Sequence, residues 1–265
     1  MSAMTISAPY DEALVTGTET RLTVRTGDRC VDVDLYSERG VELVAALWLK
    51  LSAAERLMYQ HAWLGVPIIQ LPGDLVAMQE LIWRLRPDCI VECGLAHGGA
   101  AIFYASLLEL IGKGKVIGGD VEIRQANRVV MENHPLAHRL TLIEAGSTTA
   151  GAVERVEELT RGARCVLVVL DSCHSRDHVA RELELYHKLV TPGSYVVVMD
   201  GAQAHVWDTP RGRPEWREDN PLPAVAAFLA HHPEFAEDPH YTRARVTSSP
   251  HGFLRRRAAG EEQSL

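Results

Sequence analysis

The 265-residue chain lacks the features that mark secreted, membrane-spanning and nucleic-acid-binding proteins. No apolar run approaches the roughly 20 residues that a membrane-spanning helix requires. The N-terminal segment MSAMTISAPYDEALV has neither the basic start nor the apolar stretch of a signal peptide. Positive residues are scattered and the net charge is −8, whereas nucleic acid is bound by a basic face. We therefore expect a cytoplasmic protein that binds neither a membrane nor nucleic acid.

Paired cysteine motifs are absent as well. The chain has five cysteines, and none of them forms a CxxC pair. Cys89, Cys93 and Cys165 lie in or beside apolar runs, where a cysteine usually acts as a small buried hydrophobic residue. We expect such thiols to stay reduced in the cytoplasm rather than to form disulfides.

From residue 88 onward the chain alternates between short apolar strands and helices, which is the pattern of a parallel sheet with crossover helices. The fourth strand is continuously apolar, as a strand buried on both faces should be. We therefore predict an α/β fold with a doubly wound, Rossmann-like sheet, which an antiparallel strand pair within residues 241–257 closes. The parallel strands are predicted at Cys89–Gly94, Lys115–Val121, Arg139–Ser147, Cys165–Ser172 and Gly193–Gly201.

The residues before this pattern differ from it. Val41–Leu51 carries apolar residues at helical spacing, and Ser52, with Glu55 at the capping-box position, is a suitable N-cap for a second helix. A third helix is predicted before the first parallel strand. We therefore divide the chain into an N-terminal extension, residues 1–64, that is mostly helical, and a main domain, residues 65–265.

In doubly wound folds, ligands bind outside the carboxyl ends of the parallel strands. Glu92 and a glycine-rich turn from Gly94 to Gly99 stand at the end of the first strand. The glycine spacing is not GxGxxG, so no pyrophosphate cradle is indicated. Asp120 ends the second strand, where a carboxylate can accept hydrogen bonds from a ribose diol. This combination favours an adenosyl ligand without a diphosphate, which is S-adenosylmethionine rather than NAD.

Four segments resemble the cephalosporin hydroxylase family of methyltransferases. They are GVPIIQLPGDL, IVECGLAHGGAA, the run from Leu170 to Asp200 and the closing GFLRR. The most specific of them is the D-S-x-H-x3-H-V-x2-E-L block at Asp171–Leu183, and the similarity extends roughly from Gly65 to Arg256. The family includes the cephamycin-pathway methoxylation protein, macrolide sugar methyltransferases and rhamnosyl O-methyltransferases. The resemblance implies a class I methyltransferase sheet.

The resemblance also implies S-adenosylmethionine in the cleft of the first half of the sheet and a divalent ion, Mg²⁺, held by Asp171 and Asp200. Metal-dependent relatives carry Glu-Asp on the fifth strand, whereas this chain has Met199 before Asp200. A thioether is a poor ligand for Mg²⁺, so we expect a weakened site that Gln203, His205 or water would complete. The residues expected to bind the cofactor are Glu92, Gly94, Gly98, Asp120, Ser147 and Asp171.

His174 follows Asp171 by three residues, just past the fourth strand. A histidine at this offset is the general base that the resemblance implies. An imidazole that titrates near neutrality can remove the proton of a hydroxyl group as its oxygen attacks a methyl group. His174 and Asp171 are therefore the predicted catalytic residues, while His178 either orients His174 or only packs.

The segment Ala202–Asn220 is long and is predicted to lack regular structure, so it is a candidate lid. Its arginines can pair with phosphates, and its tryptophans can stack on a ring. The residues expected to bind the acceptor are His205, Trp207, Arg211 and Arg213.

We therefore expect methyl transfer from S-adenosylmethionine to a hydroxyl group of a small molecule. The favoured acceptor is a deoxysugar of secondary metabolism, either nucleotide-linked or attached to an antibiotic, and the enzyme is expected to be a homo-oligomer. Two alternatives stay open. One is an O-methyltransferase that acts on a phenol or catechol, and the other is a non-catalytic cofactor-binding protein that assists a partner oxygenase.

Overall fold

An antiparallel sheet and one long helix precede the main domain in the computed structural model, which describes residues 4–6, 13–17, 20–26, 29–258 and 260. The helix, α1 (Glu38–Glu55), begins after Ser37, whose hydroxyl oxygen accepts a hydrogen bond from the amide of Gly40 at 3.1 Å. The strands pair in chain order and are β1 (Met4–Ile6), β2 (Ala13–Gly17), β3 (Arg21–Thr26) and β4 (Arg29–Asp34).

The N-terminal extension was predicted to be mostly helical, and this prediction is wrong where the four strands β1 to β4 lie. Polar and apolar residues alternate along β3 and β4, and this period of two suits a strand with one buried face. Val24 and Val33 use that face to form a small apolar cluster with Leu43 of α1. The sheet therefore packs on α1.

The prediction of a second helix that begins at Ser52 is also wrong. Ser52 does not cap a helix but lies buried within α1. α1 ends at Arg56, whose φ angle of 55° is incompatible with a right-handed helix. The chain then turns again through Leu64 and Gly65. This second turn connects the two antiparallel strands of a short hairpin, β5 (His61–Trp63) and β6 (Val66–Ile68).

The main domain is built on a sheet of seven strands, which are β7 (Cys89–Cys93), β8 (Lys115–Asp120), β9 (Leu140–Glu144), β10 (Val166–Leu170), β11 (Tyr195–Val198), β12 (Phe235–Glu237) and β13 (Phe253–Arg256). Their order is β12-β13-β11-β10-β7-β8-β9. The strands from β7 to β11 pair in parallel, and β13 is antiparallel to both β11 and β12. The predicted doubly wound sheet is therefore confirmed.

One detail of the closing strand pair was wrong. The partner of β13 is β12 and not residues 241–248. The amide and hydroxyl of Ser248 donate hydrogen bonds to the Asp74 carboxylate at 2.8 and 2.7 Å, and the Ser248 carbonyl accepts one from the amide of Ala202. These bonds hold the segment against the carboxyl edge of the sheet rather than in it.

Helices cover both faces of the sheet. They are α2 (Pro72–Leu85), α3 (Gly99–Ile111), α4 (Gln125–Glu132), α5 (Ala150–Thr160), α6 (Arg176–Tyr186), α7 (Gln203–Val206) and α8 (Pro221–His231). One apolar cluster joins the sheet to α2 and α3, and a second joins it to α5, α6 and α8. Within the described residues, no helix has the length and apolar character needed to cross a membrane.

Candidate active site

Three side chains meet where β10 and β11 end. Asp171 follows β10, His174 lies in the loop after it, and Asp200 follows β11. Nε2 of His174 lies 3.2 Å from Oδ2 of Asp200. One donor atom from each of the three residues lies within 4.8 Å of the others, which is close enough for one ion to touch all three. The structure thus brings together the two predicted catalytic residues and the second predicted metal ligand.

Asp200 is held in an unusual backbone conformation. Its φ angle is 58°, in the left-handed region that a residue other than glycine enters only at a cost of about 1–3 kcal/mol. Neighbouring hydrogen bonds fix it, because the Met199 amide donates to the Leu170 carbonyl and the Gln203 amide donates to the carbonyl of Asp200. The fold therefore aims this carboxylate at His174.

The cluster has a strong excess of negative charge. Burial is the main cause that raises the pKa of Asp171 well above its usual range, and the carboxylates of Asp200, Glu92, Glu182 and Asp74 raise it further, in that order. The amide nitrogen of Gln70 donates a hydrogen bond to Oδ2 of Asp171 at 3.3 Å, but it brings no charge. A divalent cation would offset the repulsion between the carboxylates, so the residues present fit a metal ion.

Met199 does not take part in this cluster. It is buried in the apolar core, and its sulfur accepts a hydrogen bond from the Ser249 hydroxyl at 3.4 Å. The group that lies beside Asp171 and Asp200 is instead the imidazole of His174. The expected substitute ligand His205 lies elsewhere, in the wall of a neighbouring cavity that His251 also lines.

A small cavity of about 180 Å³ lies next to this cluster, at the end of β7. Glu92 lines it and has only 1% of its surface exposed, and neither carboxylate oxygen has a hydrogen-bond partner. Burial, followed by the charge of Asp120, raises the pKa of Glu92 well above its usual range. An unpartnered buried acid is costly, and a cationic ligand in the cavity would satisfy it.

Asp120 stabilises the turn that lines this cavity. Its Oδ2 accepts hydrogen bonds from the amides of Leu95 and Ala96 at 2.9 and 3.1 Å, and Asn127 donates to the Ala96 carbonyl at 2.8 Å. The carboxylate that we expected to bind ribose is therefore also the group that holds the turn after β7 in place.

The glycines of this turn are required mainly by contacts within the protein. A Cβ on Gly94 would lie 2.1 Å from the carbonyl oxygen of Asp171, and one on Gly98 would lie 2.3 Å from the sulfur of Met131. Gly94 lines the small cavity, whereas Gly98 faces α4. The expected contact of Gly98 with a cofactor therefore has no support in the geometry.

Ser147 and His178 belong to a polar network behind the small cavity. Nε2 of His178 lies 3.3 Å from the Ser147 hydroxyl and 3.1 Å from the Ser172 hydroxyl, which donates to the Glu182 carboxylate at 2.6 Å. The hydrogen bond from His178 to Glu182 is the main cause that raises the pKa of His178. These contacts favour a positioning role for His178 at Ser147 and Ser172 over the alternative in which it orients His174.

A larger cavity of about 420 Å³ lies on the other side of the cluster. Its walls are α1 and the segment after β11, and both cavities are lined by Tyr59, His174 and Asp200. A ligand in one cavity can therefore meet a ligand in the other at His174. The sequence analysis did not predict Tyr59 or Gln70 as site residues. Nothing in the sequence pattern marks Tyr59, and Gln70 is marked only by its place in the GVPIIQLPGDL motif.

A buried ion pair fixes the walls of the larger cavity. Nζ of Lys50 on α1, with 4% of its surface exposed, lies 2.6 Å from Oδ2 and 2.7 Å from Oδ1 of Asp208. Nε of Arg211 donates a hydrogen bond to the Ala54 carbonyl at 3.2 Å. The extension and the segment after β11 thus close over the site together.

Of the four residues expected to bind the acceptor, Arg211 lines the larger cavity. Trp207 packs under the guanidinium of Arg217, 5.4 Å from its ring centre, and Arg213 lies 5.9 Å from the ring centre of Trp216. Trp216 itself lines the cavity, as does Arg56 at the end of α1. The segment is also less irregular than predicted, because it contains α7 and a 3₁₀ turn at Pro214–Arg217.

Sequence comparison agrees with this architecture. Residues 55–257 match the model of the Rhamnosyl O-methyltransferase/CmcI family, and the chain belongs to that family. Together with the fold, this places it among the S-adenosylmethionine-dependent O-methyltransferases.

Two similar proteins are rhamnosyl O-methyltransferases. The one from Mycobacterium tuberculosis is 28% identical over 202 residues, which cover 72% of this chain and 76% of the relative. The one from Mycobacterium leprae is 28% identical over 179 residues, which cover 67% and 75%.

Solved structures share the fold. A CmcI structure with Mg-SAM has a TM-score of 0.55 and 20% identity and covers 76% of this chain and 78% of its own. The O-methyltransferase TomG from Streptomyces achromogenes, in complex with SAM, has a TM-score of 0.50 and 16% identity and covers 76% and 82%.

Proposed function

We propose that the protein transfers the methyl group of S-adenosylmethionine to a hydroxyl group of a deoxysugar, either nucleotide-linked or attached to an antibiotic. The observation that carries this proposal is the meeting of two cavities at one wall, formed by Tyr59, His174 and Asp200. A methyl donor and an acceptor must approach each other in line, and separate cavities with a shared wall provide that arrangement.

The cofactor is assigned to the small cavity at the end of β7. Glu92 offers a buried carboxyl group without a partner there, and a cationic ligand would favour its ionised form. Gly94 lines the cavity, and Asp120 and Ser147 flank it from the next two strand ends. When bound, S-adenosylmethionine supplies an electrophilic methyl group at a sulfonium centre.

We assign a divalent ion, Mg²⁺, to Asp171 and Asp200, beside His174. The excess of carboxylates around Asp171 supports this assignment, and a CmcI structure described with Mg-SAM has the same fold. When bound, the ion supplies positive charge that lowers the energy of an alkoxide on the acceptor.

His174 acts as the general base in this proposal. His174 lines both cavities, so its imidazole can take the proton from the acceptor hydroxyl as the oxygen forms its bond to the methyl carbon. Asp200, 3.2 Å away, then stabilises the imidazolium ion. The positive charge that forms on His174 is thus balanced by a carboxylate already in place.

The lining of the larger cavity supports a sugar with an anionic or aromatic substituent. Arg56 and Arg211 supply positive charge, Trp216 supplies an aromatic face, and Leu49 and Val206 supply apolar walls. The relatives from Mycobacterium, which are named rhamnosyl O-methyltransferases, also favour a deoxysugar.

The test is an assay of the purified chain alone with isotope-labelled S-adenosylmethionine, offered separately a nucleotide-linked deoxysugar, a deoxysugar macrolide and catechol. Label should pass to one of the sugars. Transfer to catechol only would support the phenol alternative. Binding of S-adenosylhomocysteine without transfer to any acceptor would support the accessory alternative.

We also propose that the enzyme acts in the cytoplasm as a homo-oligomer. α1 leaves an exposed apolar stripe at helical spacing, formed by Val41, Val44, Trp48 and Leu51, and the free thiols are in keeping with a reducing compartment. Light scattering should give a multiple of 29.3 kDa, and Trp48→Glu should shift it to the monomer mass.

A further inference from the structure

We propose a second metal site, for Zn²⁺, formed by Glu184, His187 and His232. One donor atom from each of these side chains lies within 4.8 Å of the others. α6 begins two residues after His174 and has 11 residues, so its far end lies roughly 16 Å along the helix from the proposed active site. The two sites therefore cannot share an ion.

Regular elements hold the three ligands in place. Glu184 lies in the last turn of α6, His187 directly follows that helix, and His232 directly follows α8. The ring of Phe228 stacks on His232 at 4.2 Å between centres and packs edge-on against His187 at 5.7 Å. The imidazole rings are thus oriented by the core, and little ordering is left for an ion to impose.

The tautomer of His187 suits a ligand. Its Nδ1 lies 2.9 Å from the Leu183 carbonyl oxygen, and because a carbonyl can only accept, this nitrogen carries the hydrogen. The neutral ring then has its lone pair on Nε2. His187 is only 8% exposed, so its ring is one of the few imidazoles in the described chain held inside the protein.

His232 lies between two carboxylates. Its Nδ1 is 3.2 Å from Oε1 of Glu234, and its Nε2 is 3.0 Å from Oε1 of Glu184. A neutral imidazole donates from one nitrogen only, so donation to Glu234 leaves a lone pair on Nε2 facing the Glu184 carboxylate. A cation between Nε2 and Glu184 turns this repulsion into two bonds, and a carboxylate that accepts from the other nitrogen is the usual support of a metal-bound histidine.

The donor set selects the ion. Two imidazole nitrogens and one carboxylate suit Zn²⁺, with water as a fourth ligand, better than they suit Mg²⁺ or Ca²⁺, which prefer all-oxygen shells. The ligands lie at the C-terminal ends of α6 and α8, so the ion would join these two helices. α8 directly follows the segment that closes the larger cavity, and the joined helices would anchor the end of that segment.

The experiment is a calorimetric titration of the full chain with ZnCl₂ after removal of metals. Asp171→Asn and Asp200→Asn are introduced together to eliminate the first cluster. One equivalent of Zn²⁺ should still bind, and Co²⁺ in its place should give the visible absorption of a four-coordinate ion. His232→Gln should weaken binding at least tenfold, and Glu234→Ala should weaken it about 10-fold through loss of the supporting hydrogen bond.

His231→Gln is the matched control, since His231 is the exposed neighbour of His232 and lies 2.8 Å from the Ala227 carbonyl. It should leave Zn²⁺ binding unchanged. Circular dichroism establishes that each variant is folded. The proposal is overturned if the double variant with Asp171→Asn and Asp200→Asn binds no Zn²⁺, or if His232→Gln binds Zn²⁺ as well as His231→Gln does. In that case His232 only bridges Glu184 and Glu234.

Discussion

Glu92 is a buried acid that the fold itself does not satisfy. Both of its oxygens lack a hydrogen-bond partner, and burial raises its pKa well above the ordinary value of 4.5. The folded state therefore keeps this proton to a higher pH than the unfolded chain does. The linkage relation then requires that stability without ligand falls as the pH rises above about 4.5, until the raised pKa is passed.

We predict that Glu92→Gln removes this pH dependence. The variant should match the wild type near pH 4 and then gain about 1.4 kcal/mol of relative stability for each pH unit between about 4.5 and the raised pKa of Glu92, because the amide has no proton to release. It should also bind S-adenosylmethionine about tenfold more weakly, because the amide cannot ionise to pair with the cationic sulfonium ligand. Thermal unfolding across the pH range and calorimetry check both effects.

Glu144→Gln is the control for this prediction, since Glu144 ends β9, is exposed and pairs with Arg128. It should change neither quantity. Equal stability of Glu92→Gln and wild type at pH 8 would contradict the assigned cost of the buried acid.

His174→Ala should lose turnover by about 10²–10⁴-fold, the usual contribution of a general base, and should still bind the cofactor. His178→Ala should lose much less, because His178 contacts Ser147, Ser172 and Glu182. Near-normal turnover of a folded His174→Ala variant would falsify the assignment.

α1 lies almost entirely before residue 55, where the match to the family begins, yet Leu49, Ser52 and Ala53 line the larger cavity. The helix therefore lines the cavity that we propose for the acceptor, although the match to the family does not include it. Its position depends on the pair between Lys50 and Asp208, which joins two elements 158 residues apart in sequence.

We predict that Asp208→Asn loosens this wall. Breaking a buried ion pair costs up to about 3–5 kcal/mol, and the loss should be smaller here because the Asp208 side chain is 20% exposed. The KM for the acceptor should rise, while S-adenosylhomocysteine should bind as before, since the cavity that we propose for it lies on the other side of His174. Thermal unfolding and steady-state kinetics measure the two effects.

The exposed pair of Arg155 and Glu158 provides the comparison, with more than half of each side chain exposed. Arg155→Ala should change stability by less than about 1 kcal/mol and leave the KM unaltered. An unaltered acceptor KM in a folded Asp208→Asn variant would show that the pair does not position the wall.

The carboxylates around Asp171 come from β7, α2, α6 and the ends of β10 and β11, so their repulsion involves the whole carboxyl edge of the sheet. We predict that a chelator lowers activity and that Mg²⁺ restores it. At ten times its Kd, Mg²⁺ should stabilise the folded protein by about 1.4 kcal/mol, or roughly 3–5 °C in Tm.

Asp200→Asn should abolish the shift in Tm, because it removes one of the two proposed carboxylate ligands. Full activity in excess chelator, together with a Tm that Mg²⁺ does not change, would show that Asp171 and Asp200 act without an ion.

The sequence by itself determined the central sheet and what stands at its strand ends. Continuous apolar runs such as Cys165–Leu170 predict buried strands because they reflect a local pattern of burial. Parallel strands bring their carboxyl ends to one edge of the sheet, so the sequence alone places Asp171, His174 and Asp200 close together.

Only the tertiary structure decided which groups oppose each other across long stretches of sequence. No local pattern shows that Ser52 stays within one long helix, that Met199 turns into the core, or that α1 lines the larger cavity. The same holds for the unpartnered oxygens of Glu92 and the pairing of His187 with His232. Each depends on contacts between distant segments, and the free energy of such contacts is set by packing and desolvation after the chain has closed rather than by the periodicity of neighbouring residues.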